Sequence, residues 1–392
     1  MSIFSLSGKG LRLDSKEEAF KALEELRRMS NVREIHLCGN TFSIAACHVV
    51  SELLSLHSKT LEVADFSDIF TGRTAQEIPE ALEVLLSGLL LCRKCHTVCL
   101  SDNAFGPTAA SPLTSFLSQH TPLQHLYLNN NGLGPNAGTC VAESLVVLAE
   151  KQSSNGYEKH GKLETVVCGR NRLESGSMNA WAACFRMHTS LKCLRMPQNG
   201  IRPDGIRILL ESGLSACTQL QIFDLQDNTL TLVGAKTLAK VLPNWKFILE
   251  LGVSDCLLSG IGVATIAKVL SHGHHKHLKI LRLQYNEIDH KAVKILVDAV
   301  DKALPNLEIL ELNGNAFSDE NDSIQRIRDI FKERKKGELD ELDDMDEPSE
   351  SNNSEDSDQE SSQNLENTEN EIDTDITILL EKTHIDRKIN QT

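Results

Sequence analysis

The sequence predicts an α/β solenoid of leucine-rich repeats, and three observations carry that prediction. The first is the stretch LQHLYLNNNGL, residues 123–133. Its Leu123, Leu126, Leu128 and Leu133, with Asn131 between the last two, reproduce the LxxLxLxxNxL signature. The second is recurrence. Equivalent positions are held by Asn103, Asn131, Asn171, Asn199, Asn228, Cys256, Asn286 and Asn315, spaced 28, 40, 28, 29, 28, 30 and 29 residues apart. The third is composition: 40% hydrophobic residues but only 4% aromatic, so leucine must supply most of the core. A 28–29-residue period leaves room for a strand, a turn, a full helix and a return loop. One such unit cannot bury its own apolar face, whereas a stack can. The expected architecture is a horseshoe of about 11 units, with an inner parallel sheet and outer helices.

Each element follows from local pattern. Residues 3–13 (IFSLSGKGLRL) read as a first strand and cap. Residues 15–29 carry helical spacing at Phe20, Leu23 and Leu26. The first clean repeat is Val32-x-x-Ile35-x-Leu37-x-x-Asn40-x-Phe42. In the L-x-L core, alternation puts Leu126 and Leu128 on one buried face. The asparagine then satisfies backbone groups where the chain turns. The unit after Asn40 breaks the rule: Leu61-x-x-Ala64-x-Phe66 is followed by DFSDIFTGR (65–73) with no asparagine, before a helix near Ile78. A unit that departs from its neighbours is a candidate functional loop. The 40-residue spacing marks an insertion, expected as a polar loop over EKQSSNGYEKHGK, residues 150–162. A helix over Ser323–Lys335 is expected to cap the end of the stack. The organisation is therefore a repeat domain over 1–336, a disordered acidic tail over 337–375 and a mostly disordered segment over 376–392.

Charge separates body from tail. Between Glu338 and Asp375 lie 17 acidic residues and no Lys or Arg, although the whole chain has net charge −15. Residues 1–337 hold 36 acids and 37 bases and are nearly neutral. Neither part has the basic footprint of a nucleic-acid binder. No apolar run is long enough for a membrane span, and no leader is expected from the N-terminal residues. The 11 cysteines, an odd number, are expected mostly as small core residues in a reducing compartment, Cys168, Cys193 and Cys256 among them.

Several motifs carry less than they suggest. Cys92-x-x-Cys95-His96 has the haem-attachment spacing, but Cys95 occupies the first leucine position of a repeat. His272, His274, His275 and His277 cluster in an expected helix-to-strand loop, where solvated histidines are ordinary. No GxxxxGK[ST] phosphate loop is present, and no nucleophile–base arrangement stands out. The informative row precedes the asparagine ladder: Asp102, Asn130, Arg170, Gln198, Asp227, Asp255 and Tyr285. Repeat geometry places them along one rim at roughly 5 Å per unit. Acids, amides, an arginine and a tyrosine in file suit a polar protein contact.

Beyond the generic pattern, DFSDIFTGR (65–73), EIPEAL (77–82), LSDNAFGPTA (100–109), CGRNRLESGSM (168–178), LRLQYNEI (281–288) and ELNGNAFS (311–318) identify the chain as resembling the GTPase-activating proteins of the nuclear transport GTPase Ran, in their fungal form. The resemblance runs through the repeats into GELDELDDMDE (337–347). It implies stimulation of GTP hydrolysis on Ran in its GTP form, together with a Ran-binding protein, by a cytoplasmic, perinuclear-acting monomer. No cofactor is implied on this chain; GTP and Mg belong to the partner, and neither metal, nucleic acid nor membrane is expected here. Arg73 would be the obvious arginine finger. The family, however, is understood to order the GTPase's own glutamine through an asparagine, which matches Asn130, leaving Arg73 a positioning role. GTPase contact is assigned to Asp102, Asn103, Arg170, Gln198, Asp227, Asp255, Arg282 and Tyr285. The runner-up is a passive, tight-binding scaffold of ribonuclease-inhibitor type, which shares the period.

Overall fold

The computed structural model describes residues 2–154 and 162–345. The described residues fall into two compact units that divide between Asp224 and Leu225. In the first, the strands are β1 (Ile3–Ser5), β2 (Arg12–Leu13), β3 (Glu34–His36), β4 (Thr41–Phe42), β5 (Val63–Asp65), β6 (Thr97–Cys99), β7 (His125–Tyr127), β8 (Thr165–Val167), β9 (Cys193–Arg195) and β10 (Ile222–Asp224). Its helices are α1 (Lys16–Ala22), α2 (Glu24–Arg28), α3 (Ile44–Leu56), α4 (Glu77–Leu89), α5 (Ala110–Leu117), α6 (Gly134–Ser154), α7 (Met178–Met187) and α8 (Pro203–Ser212). The second unit holds α9 (Thr231–Val241), β11 (Glu250–Gly252), α10 (Ser259–Ser271), β12 (Ile280–Arg282), α11 (His290–Ala303), β13 (Ile309–Glu311), α12 (Asp322–Arg334) and β14 (Glu338–Leu339). The alternation of strand and helix is the leucine-rich-repeat solenoid that the period predicts.

All pairings are parallel. In the first unit the sheet runs β1-β3-β5-β6-β7-β8-β9-β10, with β2 and β4 forming a small separate pair. Register aligns the middle residue of every strand: Phe4, Ile35, Ala64, Val98, Leu126, Val166, Leu194 and Phe223. Each is buried, so this row forms the inner wall of the core. In the second unit β11-β12-β13-β14 continue the same device, with Leu251, Leu281, Leu310 and Leu339 in register. Three-residue strands suffice because each has neighbours that complete its backbone pairing.

The asparagine ladder joins successive turns. Asn131 Nδ2 donates to the carbonyls of Leu128 at 3.1 Å and Leu100 at 3.0 Å, while its Oδ1 accepts from Asn103 N at 3.0 Å. Asn171 Oδ1 in turn accepts from Asn131 N at 3.1 Å, and Asn199 Oδ1 from Asn171 N at 2.9 Å. In the second unit Asn286 and Asn315 repeat the pattern. Cys256 substitutes a weak thiol donor, 3.4 Å from Leu225 O, and its N–H goes to Asn286 Oδ1 at 3.0 Å. A buried carboxamide that satisfies three or four backbone groups at once is why this position tolerates so little else.

Four expectations need correction. Phe20 is 40% exposed; Ala19, Leu23 and Leu26 are the buried residues of that helical pair, because a break at Leu23 splits it into α1 and α2 and shifts the apolar face. Cys193 is not a core residue: as the first residue of β9 it points away from the core and is half-buried, whereas Cys168 and Cys256 are fully buried. The insertion after residue 150 is not loop from its start, since α6 runs on to Ser154; residues 155–161 lie outside the described residues. Disorder does not begin at Gly337. β14 pairs with β13, and Asp340 accepts from Leu312 N at 2.7 Å and Asn313 N at 3.0 Å. The expected tail beyond residue 345 and the 376–392 segment lie outside the described residues.

Candidate functional site: the left-handed rim

The residue before each ladder position leaves its strand in the left-handed region. In the first unit these are Gly39, Asp68, Asp102, Asn130, Arg170 and Gln198, with φ of 70°, 47°, 63°, 53°, 55° and 53°. In the second they are Asp227, Asp255, Tyr285 and Gly314, at 54°, 50°, 53° and 72°. Glycine, aspartate and asparagine enter this region at modest cost; arginine, glutamine and tyrosine do so only where the surroundings impose it. The imposing force is a backbone hydrogen bond to the next turn. Asp102 N donates to Asn129 O at 2.8 Å, Asn130 N to Gly169 O and Arg170 N to Pro197 O, both at 2.9 Å. Asp227, Asp255 and Tyr285 do the same toward Ser254, Gln284 and Asn313. With the backbone fixed, the side chains of Asp102, Asn130, Arg170, Gln198, Asp227, Asp255 and Tyr285 all stand exposed.

Asp68 is a rim residue that the sequence reading missed. The irregular second unit places Ile69 where an asparagine would stand, buried, with its N–H given to Asn103 Oδ1 at 2.9 Å. Asp68 therefore occupies the rim position, and Thr71 Oγ1 donates to its carboxylate. The signal was available as the hydrophobic Ala64-x-Phe66-x-x-Ile69 spacing, with isoleucine in the ladder place.

Three asparagines in succession have three different jobs. Asn129 Oδ1 accepts from Gly169 N at 2.6 Å, while the Asn129 N–H donates to Ser101 Oγ at 3.1 Å. Asn131 is the buried ladder residue. Only Asn130 presents its carboxamide outward, where Nδ2 donates to Asp102 Oδ1 at 3.0 Å. Asn103, expected at the GTPase contact, does not belong to the rim surface. It is 2% exposed and its Nδ2 is consumed by the carbonyls of Phe66, Leu100 and Ser101. It is a ladder residue, with its amide committed to the backbone.

Arg282 also stands apart from the rim. It ends β12 on the outward face of the sheet, between Glu250 and Glu311, with its Nε 3.1 Å from Glu311 and its side chain 22% exposed. Tyr285 rests its ring against Gly314, where an added Cβ would lie 2.2 Å from the ring. Its hydroxyl donates to Asp344 at 3.0 Å, and that contact with Asp344, ahead of burial, raises the phenol's pKa.

Arg73 is turned inward. Its side chain is 7% exposed, with Nη2 2.6 Å from Asp14 Oδ1 and 3.2 Å from Leu13 O. Hydrogen bonds from Arg12 and then Arg73 hold the Asp14 carboxyl below its usual range. The irregular loop thus docks on the N-terminal cap instead of projecting a guanidinium.

The remaining reactive groups are structural. Burial pushes the Cys92 and Cys168 thiols up to about 12 and raises Cys95 well above the usual thiol range, which suits apolar packing rather than nucleophilic use. His275 is buried with Nε2 2.9 Å from Leu242 O, and His272 lies 2.8 Å from Lys268 O, so the histidine-rich loop does not converge on one point. Among the described residues no group of three or more His, Cys, Asp or Glu is gathered around a common centre.

Comparison with known proteins places these features. The family model described as Leucine Rich repeat matches residues 216–239. The Ran GTPase-activating protein 1 of Saccharomyces cerevisiae is 36% identical over 338 residues, covering 84% of this chain and 82% of that protein. The Ran GTPase-activating protein 2 of Caenorhabditis elegans is 35% identical over 321 residues, 81% of this chain but only 33% of the worm protein. The mouse ribonuclease inhibitor is more distant, at 26% identity over 63% of this chain and 57% of its own length. With 36% identity to the yeast protein over more than four fifths of both chains, and a rim whose backbone holds an exposed asparagine between an aspartate and an arginine, the chain belongs to the Ran GTPase-activating protein family.

Proposed function

We propose that this chain accelerates GTP hydrolysis on a Ran-type GTPase in its GTP-bound form, without contributing an arginine finger. The carrying observation is the contrast between Arg73 and Asn130. The only arginine of the irregular loop is spent on Asp14, while Asn130 holds an exposed carboxamide on a backbone pinned to the next turn. An amide of this kind suits a second amide, such as the glutamine that orients the attacking water in GTPases. Fixing that glutamine is an entropic gain. An acceleration of about 10⁵-fold, as in the Ras example, exceeds what one hydrogen bond supplies, so ordering of switch segments along the rim shares the work. Arg170 and Gln198 of the first unit, and Asp227, Asp255 and Tyr285 of the second, are the contact positions of this reading, with Asp102 held against Asn130. GTP and Mg stay on the partner, which a Ran-binding protein accompanies, and the chain works as a cytoplasmic monomer.

The test is phosphate release from Ran·GTP with trace amounts of the chain. Turnover far beyond the amount of chain added supports an activator. Stoichiometric behaviour without acceleration supports the ribonuclease-inhibitor-like scaffold instead.

A further inference from the structure

Asp102 and Asn130 hold the same rim position on adjacent turns, 28 residues apart. Both backbones are fixed, through Asp102 N to Asn129 O and Asn130 N to Gly169 O. What remains free is the rotation of the Asn130 side chain. A carboxamide has two unlike ends, an NH₂ that donates and a carbonyl that accepts. Left alone on a surface it presents either. A carboxylate can only accept, so Asp102 Oδ1, 3.0 Å from Asn130 Nδ2, captures the NH₂ end and turns the carbonyl outward.

We infer that Asp102 is a positioning residue for Asn130, selecting the amide orientation in which Asn130 presents Oδ1 to an N–H donor of its partner. The inference rests on the activator reading above. Its consequence concerns polarity at the reacting water. If Asn130 Oδ1 accepts from the NH₂ of the GTPase's glutamine, that glutamine's own carbonyl is left to accept from the attacking water. The opposite amide orientation would hold the glutamine by its carbonyl and aim an NH₂ at the water, which cannot take a proton's hydrogen bond. Asp102 therefore acts through Asn130 and needs no contact with the partner.

Single-turnover hydrolysis of Ran·GTP separates saturating rate from half-saturating concentration. Asp102→Ala is expected to lower the saturating rate about tenfold, the scale of one charge-assisted hydrogen bond, with the half-saturating concentration little changed. Asn130→Asp is expected to lose more, because two carboxylates then face each other. The double variant Asp102→Asn with Asn130→Asp is expected to recover most of the wild-type rate. The introduced amide at 102 donates to the introduced carboxylate at 130, whose second oxygen again faces outward as an acceptor. Both positions are exposed but left-handed, so the Asn and Asp variants should melt like the wild type, while Asp102→Ala should melt slightly lower, by the cost of alanine at φ 63°. A wild-type saturating rate for Asp102→Ala, a loss confined to its half-saturating concentration, or a double variant no faster than Asn130→Asp overturns the inference while leaving the activator reading intact. A wild-type chain that gives no acceleration overturns the activator reading, and this inference with it.

Discussion

The Arg73 guanidinium lies 2.6 Å from the Asp14 carboxylate and 3.2 Å from Leu13 O, so the irregular loop is clasped to the N-terminal cap. Removing either partner unclasps it. Arg73→Ala and Asp14→Ala are therefore expected to behave alike, each lowering the melting temperature and reducing GTPase activation by a similar moderate factor. Activity and melting curves of both variants check this. An Arg73→Ala variant that binds Ran·GTP normally but abolishes the chemical step, with Asp14→Ala unaffected, would restore the arginine finger.

Adjacent asparagines should divide into function and stability. Asn130→Ala is expected to cut the single-turnover rate by orders of magnitude while the fold persists, its melt lowered only by the cost of alanine at φ 53°. Asn131→Ala strands the N–H of Asn103 and leaves the carbonyls of Leu100 and Leu128 with only the Nδ2 donors of Asn103 and Asn171, costing roughly 1–3 kcal/mol. Denaturant midpoints beside rate measurements separate the two.

Where the chain is cut after α12 should matter. Truncation after Lys336 removes β14 and the Asp340 carboxylate that caps Leu312 N and Asn313 N. It is expected to destabilise the second unit. Truncation after Met345 keeps both and is expected to leave stability and saturating rate unchanged, slowing association only at low salt, where a diffuse acidic field still reaches the partner. Thermal melts and stopped-flow association at two salt concentrations distinguish these outcomes.

Charge reversal at Asp227 acts through encounter. Asp227→Lys is expected to raise the half-saturating concentration several-fold and to flatten its salt dependence, with little change in saturating rate. A protection map placing the GTPase on the outer helices would remove the rim assignment.

Acid should weaken the first unit through His120 and His188. Each is buried with Nε2 against a carbonyl, Cys95 O at 2.7 Å and Leu145 O at 2.9 Å, and burial lowers each pKa to about 4. Their folded pKa lies below the unfolded value of about 6.5, so the unfolded chain binds protons first on acidification. Stability is whole above about pH 6.5 and falls towards pH 4, by up to roughly 3 kcal/mol for each histidine. Urea midpoints across that range, with His120→Gln as a non-titrating comparison, read the slope. An unchanged slope in the variant would show that His120 contributes none of it.

The sequence by itself determined the period, the strand–helix alternation, the ladder and the rim row. Those features are local: an L-x-L alternation, an asparagine three residues on and a fixed spacing name their own neighbours, because each unit stacks on the next in the same register. It also marked residues 65–73 as exceptional, since a missing ladder asparagine is visible without coordinates. The spacing Ala64-x-Phe66-x-x-Ile69 already put isoleucine in its place and Asp68 on the rim, but only the fold showed Asp68 there and Asn103 buried beneath the surface.

Tertiary structure alone decided the rest. Arg73 reaches a partner 60 residues away, Asn130 one 28 residues away, and Gln284 and Tyr285 reach Asp340 and Asp344 across more than 50. Pairs of this kind depend on which side chains stacking brings face to face, and on a left-handed backbone that neighbouring turns impose on Arg170 and Tyr285 against their own preference. No local pattern encodes that choice, because the hydrogen bond that enforces it comes from the following turn.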